Sequence, residues 1–192
     1  MVRRLETLES TRERITAAAF DLHATIGPSR TTISRIAERA GVQRHTVYHH
    51  FPNLDALYAA CTEHGIRATS MPVATSWDHI ADPTKRMRAG LADIYAWFRA
   101  NERMLANVLH DIDPEAPPPT EPDVFEIRMM AVHAALAGRW VASDGDRASL
   151  DALITHAMAF DTWRSLTSAG LADHDAIELL VRVATRVAAG TL

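Results

Sequence analysis

Between Gln43 and His50 the chain reads QRHTVYHH, placing Arg44, His45, Thr46, Tyr48, His49 and His50 within one short run. These are guanidinium, imidazole, hydroxyl and phenol groups, which donate to phosphate oxygens and reach base edges in a nucleic-acid groove. No carboxylate interrupts the run: Glu38 is the only acid from Thr32 to Phe51. Val47 is the residue suited to burial, and a short helix with Val47 inward turns the polar side chains outward. Arg44 has two open roles, forking onto a guanine or neutralising a phosphate.

Such a helix must be held by its neighbours. Ile36, Ala37 and Ala40 fall on one helical face just upstream, Thr32 is placed to act as N-cap, and Gly41 follows. A small Ala37 permits close approach, and glycine accepts the left-handed conformation of a tight inter-helix turn. The spacing predicts two helices, about 33–40 and 44–50, crossing sharply as a helix-turn-helix. Ile15, Ala18, Ala19, Leu22 and Ile26 recur at three and four, giving a backing helix from Ser10 to Ile26. Ser10 or Thr11 would cap it, and Gly27-Pro28 would end it. Phe51-Pro52-Asn53 is a turn, and a fourth helix runs from Leu54 through Leu57, Tyr58 and Cys61 to Ile66.

Charge is distributed in keeping with this reading. The 192 residues carry a net charge of −4, which alone argues against a nucleic-acid binder. Residues 1–52, however, hold eight arginines against five acids, and the remainder is acidic. A basic head on an acidic body concentrates attraction for phosphate at one end. A 47% apolar content is that of a globular chain. The single cysteine, Cys61, excludes an intramolecular disulfide and fits a reducing compartment. The first ten residues lack an apolar leader, and no apolar run nears the roughly 18 residues of a membrane span. A cytoplasmic protein with no membrane partner is expected.

The run TRERITAAAFDLHATIGPSRTTISRIAERAGVQRHTVYHHFPNLDALYAA resembles the N-terminal domain of TetR/AcrR-family transcriptional regulators. The resemblance covers roughly residues 10–62 and rests on TT-x-x-x-IA-x-x-AGV, on TVYHHF and on the proline turn after it. It implies that Thr32 and Ser34 lie near DNA. Gln43, Arg44, His45 and Tyr48 match positions that approach bases, and Thr46, His49 and His50 match positions on the phosphate backbone. Three positions depart from the pattern. His23 stands where the family has an apolar aromatic, Gln43 replaces a small capping residue, and Leu54 replaces a lysine.

Beyond Met71-Pro72 the reading rests on pattern. A helix opens at Asp82-Pro83 and carries Met87, Leu91, Ile94, Trp97 and Phe98; Asn101 or a neighbour breaks or kinks it before Met104, Leu105 and Val108. Asp113 to Thr120 holds four prolines and is a loop. Pro122 to about Val141 is helical, and Asp144-Gly145-Asp146 is a turn. The last two helices, Ala148–Ser168 and Asp173–Ala189, carry wide apolar bands. Either those bands pair with the same helices of a second copy in a four-helix bundle, or the single chain covers them.

Trp97, Met104, His110, Phe125, Met129, His133, Trp140 and Trp163 are large, partly polar-tipped residues spread over several helices. They are candidates for lining an apolar cavity, and each is equally suited to a helical core. The resemblance implies a small hydrophobic or amphipathic effector that releases DNA. His45 and His49 share a face, but no H-E-x-x-H or cysteine cluster accompanies them, so no metal or other cofactor is expected. Nor is there a G-x-S-x-G or a phosphate-cradling glycine loop, so no enzyme activity is expected.

The expected architecture is all-α with about nine helices: a DNA-binding domain over residues 1–53 and a ligand-binding and dimerisation domain over 54–192. The expected function is a homodimeric regulator, a repressor of a palindromic double-stranded DNA operator, joined through its last two helices. The alternative is a helical small-molecule-binding protein or enzyme with a vestigial DNA-binding module.

Overall fold

The computed structural model describes residues 2–111 and 121–191, and all its regular elements are helical. They are α1 (Val2–Ile26), α2 (Ile33–Ala40), α3 (Arg44–His50), α4 (Leu54–Ala68), α5 (Pro83–Ala100) and α6 (Glu102–His110), followed by α7 (Val124–Ala137), α8 (Asp144–Ala157), α9 (Phe160–Ser168) and α10 (Asp173–Ala188). A single 3-10 turn, Ala74–Trp77, precedes α5. The proline-rich stretch read as a loop, Asp113–Thr120, lies outside the described residues.

The helices gather into two compact units, residues 1–70 with 101–125, and residues 71–100 with 126–192. This division does not follow the expected break at 53/54. The reason is packing: Leu57 and Cys61 of α4 enter the same core as Ile15, Ala18 and Ala19 of α1 and Ile36, Ala37 and Val47 of the helix-turn-helix. Burial there pushes the Cys61 thiol up to about 12, so it stays protonated. In the same unit α6 reaches the end of α1 through polar bonds. Asn107 Nδ2 donates to the Ala24 carbonyl at 2.7 Å, and Asp111 Oδ2 accepts from the Ser29 amide at 2.8 Å.

The backing helix is longer than expected. It begins at Val2, so Ser10 and Thr11 are interior residues and cap nothing. Leu, Glu and Arg in the first ten residues favour helix, and no proline or glycine interrupts them.

In the second unit, Met87, Leu91, Ile94, Tyr95 and Phe98 of α5 form the buried spine, with Leu150, Ile154, Phe160, Trp163, Ile177, Leu180 and Val181 in the same buried set. Asp82 caps α5 by accepting from the Lys85 amide at 2.8 Å, as the Asp-Pro start predicts. A Cβ on Gly90 would meet Leu136 Cδ2 at 2.4 Å, so α5 and α7 touch at a position only glycine fills. Buried Arg86 donates to the Ile80 carbonyl at 2.7 Å and the Asp78 carbonyl at 2.9 Å, tying the segment before α5 to that helix.

Two expectations for this unit are corrected. Asp144-Gly145-Asp146 is the first turn of α8, not a free turn, because the Ser143 side chain accepts from the Asp146 amide at 3.3 Å. The single helix expected over 148–168 is two, broken at Ala159, whose ψ of 137° is extended. At 100° per residue, Leu150, Ile154 and Ala157 share a face while Phe160 and Trp163 drift away from it. The break returns both rings to one cluster: Phe98 lies 5.4 Å from Phe160 and 5.8 Å from Trp163. The count is therefore ten α-helices among the described residues rather than about nine.

Candidate nucleic-acid interface

The seven residues of α3 have one buried member, Val47. With Val47 fully enclosed, Gln43, Arg44, His45, Tyr48 and His49 are exposed, and Thr46 and His50 are half-buried. Tyr48 leaves 53% of its surface in solvent, which no folding role for an aromatic ring requires. Arg44 makes no ion pair or hydrogen bond among the described residues, unlike Arg39, which pairs with Asp21 at 2.9 Å. Gln43 sits at the N-cap with no side-chain cap bond, leaving its amide outward.

Thr32 and Ser34 open α2 and are exposed. Thr32 is the N-cap, its hydroxyl accepting from the Arg35 amide at 3.3 Å. Gly41 ends the helix at φ 64°, and the Val42 amide returns to the Ala37 carbonyl at 2.9 Å. That left-handed closure sets the angle at which α3 leaves.

Two residues with no assigned role in the sequence reading hold this pair of helices. Arg14 Nη2 donates to the Ala40 carbonyl at 2.5 Å, at the end of α2. Arg12 Nη1 donates to the His50 carbonyl at 2.9 Å, at the end of α3, with its guanidinium 4.3 Å from the Phe51 ring centroid. Helix C-termini carry unsatisfied carbonyls and partial negative charge, so a guanidinium stabilises both ends. From α1 these two side chains fix where α3 points. In sequence they are two arginines on the polar side of an amphipathic helix, which any solvated face provides.

The charge on the face is set locally. The pKa of His50 is lowered by partial burial, then by His49 and Arg12, with Glu9 opposing, so His50 is neutral at neutral pH. His45 and His49 remain exposed on the outer side, and no group of three metal-ligating side chains gathers among the described residues.

His23 shows what replacing an apolar aromatic does. It is buried and stacks on Tyr58 at 5.5 Å, and burial lowers its pKa against the opposing pull of Asp111. The unfolded chain, near the ordinary value of about 6.5, takes up the proton first as pH falls. Stability of this unit therefore declines as pH falls through the ordinary imidazole value. His23→Phe should flatten that decline in denaturant midpoints, leaving only the His50 share; an unchanged slope would assign the loss elsewhere.

The eight residues considered for a cavity divide between the units. In the first, Met104 and Phe125 are half-buried, and His110 is exposed beside Asp111. In the second, Trp97 and Trp163 are buried and both pack against Phe98. Met129 and His133 are half-buried, with His133 Nε2 at 3.2 Å from the Asp151 carbonyl. Trp140 is buried and its indole N–H has no hydrogen-bond partner among the described residues. Two surface grooves, one including Glu9, Arg12, Thr16 and His64 and one including Thr84, Arg88, Val181 and Arg182, contain none of the eight.

Residues 15–61 match the family described as bacterial regulatory proteins, tetR family. That match is confined to the N-terminal module, which is similar to this family. Beyond it, the likeness is one of fold. A TetR transcription regulator from Haloarcula marismortui is 19% identical, with a TM-score of 0.61 over 95% of this chain and 98% of its own. NalD of Pseudomonas aeruginosa, titled the secondary repressor of a multidrug efflux pump, is 21% identical, with a TM-score of 0.57 over 95% and 97%. A gamma-butyrolactone receptor is 22% identical, with a TM-score of 0.54 over 96% and 100%. No curated protein matches the chain. The tetR-type module ends within α4, and the helices after it complete the fold of these regulators. No described helix is long and apolar enough to cross a membrane.

Proposed function

We propose that this protein is a homodimeric transcriptional repressor that binds a palindromic operator and is released by a small hydrophobic or amphipathic effector. The observation that carries the reading is the outer side of α3. It is polar, free of acids and exposed, and it is seated from behind by Arg12 and Arg14. One such helix makes few contacts, so two copies reading half-sites about 34–36 Å apart supply the affinity. The last two helices offer a pairing surface in Leu166, Leu179 and Val183, all half-buried in the single chain. For the effector, the unit of residues 71–100 and 126–192 offers Trp97, Met129, His133, Trp140 and Trp163, where the Trp140 N–H is a donor awaiting an acceptor. NalD is a repressor and the gamma-butyrolactone receptor is named for a small ligand, which supports both halves of the reading.

The test is selection of bound duplexes from random DNA, followed by mobility shifts. Arg44→Ala and Tyr48→Ala should each weaken the selected duplex about tenfold or more. If Arg44 reads a base, its loss relaxes discrimination at one position; if it neutralises phosphate, all sequences weaken together. A wild-type chain with no sequence-dependent shift overturns the proposal.

A further inference from the structure

Helix α6 and its C-cap place Arg103, Asn107 and Asp111 four residues apart, along one face. The first two lay donors on the open end of α1. Arg103 Nη2 donates to the Thr25 carbonyl at 3.4 Å and Asn107 Nδ2 to the Ala24 carbonyl at 2.7 Å. The last turn of a helix leaves carbonyls without intrahelical partners, so donors are what that end takes. Asp111 has the opposite polarity and reaches past the end, into the loop that leads to α2. Its Oδ2 accepts from the Ser29 amide at 2.8 Å, and its Oδ1 lies 3.3 Å from His110 Nδ1. The Ser29 amide, and then the Ser29 hydroxyl, hold the carboxyl below its usual range. Gly27 leaves room for it: a Cβ there would stand 2.6 Å from the same oxygen. Beyond Ser29 the loop closes on itself. The Thr31 hydroxyl donates to the Gly27 carbonyl at 2.8 Å and the Thr31 amide to the Pro28 carbonyl at 3.0 Å. Thr32, the N-cap of α2, is the next residue.

We propose that Asp111 is a positioning residue for DNA recognition: by gripping the α1–α2 loop at Gly27 and Ser29 it fixes where α2 begins, and with it the placement of Thr32 and Ser34. The proposal rests on reading the chain as a DNA-binding regulator. Arg14 holds the C-terminal end of α2, and Asp111 holds the loop entering its N-terminal end. A short helix tied at both ends has one direction, whereas one tied at a single end can swing. The sign of the effect separates this role from a charge effect. Deleting a carboxylate makes the unit more basic, which on charge alone tightens binding to phosphate. Loss of positioning weakens it.

Mobility shifts of the full chain on its selected duplex test the proposal. Asp111→Ala should weaken binding about tenfold, the worth of one charge-assisted hydrogen bond, with helical circular dichroism unchanged at the assay temperature. Asp111→Asn keeps an oxygen for the Ser29 amide and should recover binding to within about threefold of wild type. Amide exchange gives a readout that needs no DNA. Asp111→Ala should quicken exchange at Ser29, Thr31 and Arg35, and leave that of Phe51, held by the Val47 carbonyl, as it is. Equal or tighter binding by Asp111→Ala, no recovery in Asp111→Asn, a matching loss of helical signal, or unchanged exchange at those three amides overturns it. A wild-type chain with no sequence-dependent shift sinks the regulator reading, and the exchange experiment still decides whether Asp111 orders the start of α2.

Discussion

Trp163→Ala is expected to lower the stability of the unit formed by residues 71–100 and 126–192 by about 3–5 kcal/mol, as removal of a buried aromatic does. Trp163 is 1% exposed and packs tilted against Phe98 at 5.8 Å and Phe160 at 5.5 Å. Its indole N–H also donates to Asp173 Oδ1 at 2.9 Å, and Asp173 accepts from Arg99 Nε at 2.9 Å. Arg99, and then Trp163, hold the Asp173 carboxyl below its usual range against the opposing effect of burial. A carboxylate whose folded value is depressed contributes stability above its unfolded value and loses it as pH falls through the folded one. Trp163→Phe separates the two roles: it keeps a ring in the cluster and deletes the donor, at about 1 kcal/mol. All four tryptophans, Trp77, Trp97, Trp140 and Trp163, lie in this unit, so denaturant unfolding followed by tryptophan emission reads it directly. Equal losses for the two variants would mean that the hydrogen bond, not the ring packing, dominates.

Val47→Asp should abolish sequence-dependent DNA binding although every outward side chain of α3 is retained. Val47 is 0% exposed in a helix of seven residues, and its carbonyl receives the Phe51 amide at 2.9 Å. A helix that short has no stability of its own and exists through its packing. An unpaired carboxylate at that point costs on the order of 4 kcal/mol or more, comparable with the whole stability of a small unit. Helical circular dichroism should fall while the native tryptophan emission persists, since no tryptophan lies in residues 1–70. Val47→Thr keeps the shape and buries one hydroxyl, so it should lose about 1–3 kcal/mol and bind more weakly. Full binding by Val47→Asp would show that α3 need not be helical to read DNA.

The two expectations differ in how they are reached. The second was legible in the chain itself, because the elements around α3 are built from signals within four residues of one another. Thr32 as cap, Gly41 as left-handed turn, Ala37 as close-approach residue and Val47 as anchor are local choices, and local geometry obeys local sequence. The same holds for the Asp82-Pro83 start of α5 and the interruption at Asn101.

What the chain alone did not disclose comes from distance. Arg12 and Arg14 hold carbonyls 38 and 26 residues away, and no periodicity separates them from solvated arginines. Asp111 meets Ser29 across 82 residues, which moves α6 into the unit of the helix-turn-helix and displaces the expected boundary. The apolar stripe of α8 and α9 wanders because the helix breaks at Ala159 to turn Phe160 and Trp163 toward Phe98, a partner some sixty residues earlier. Helix caps, turns and amphipathic faces are written into neighbouring residues. Which carbonyl a long side chain reaches depends on where the folded chain returns, and only the tertiary structure decides that.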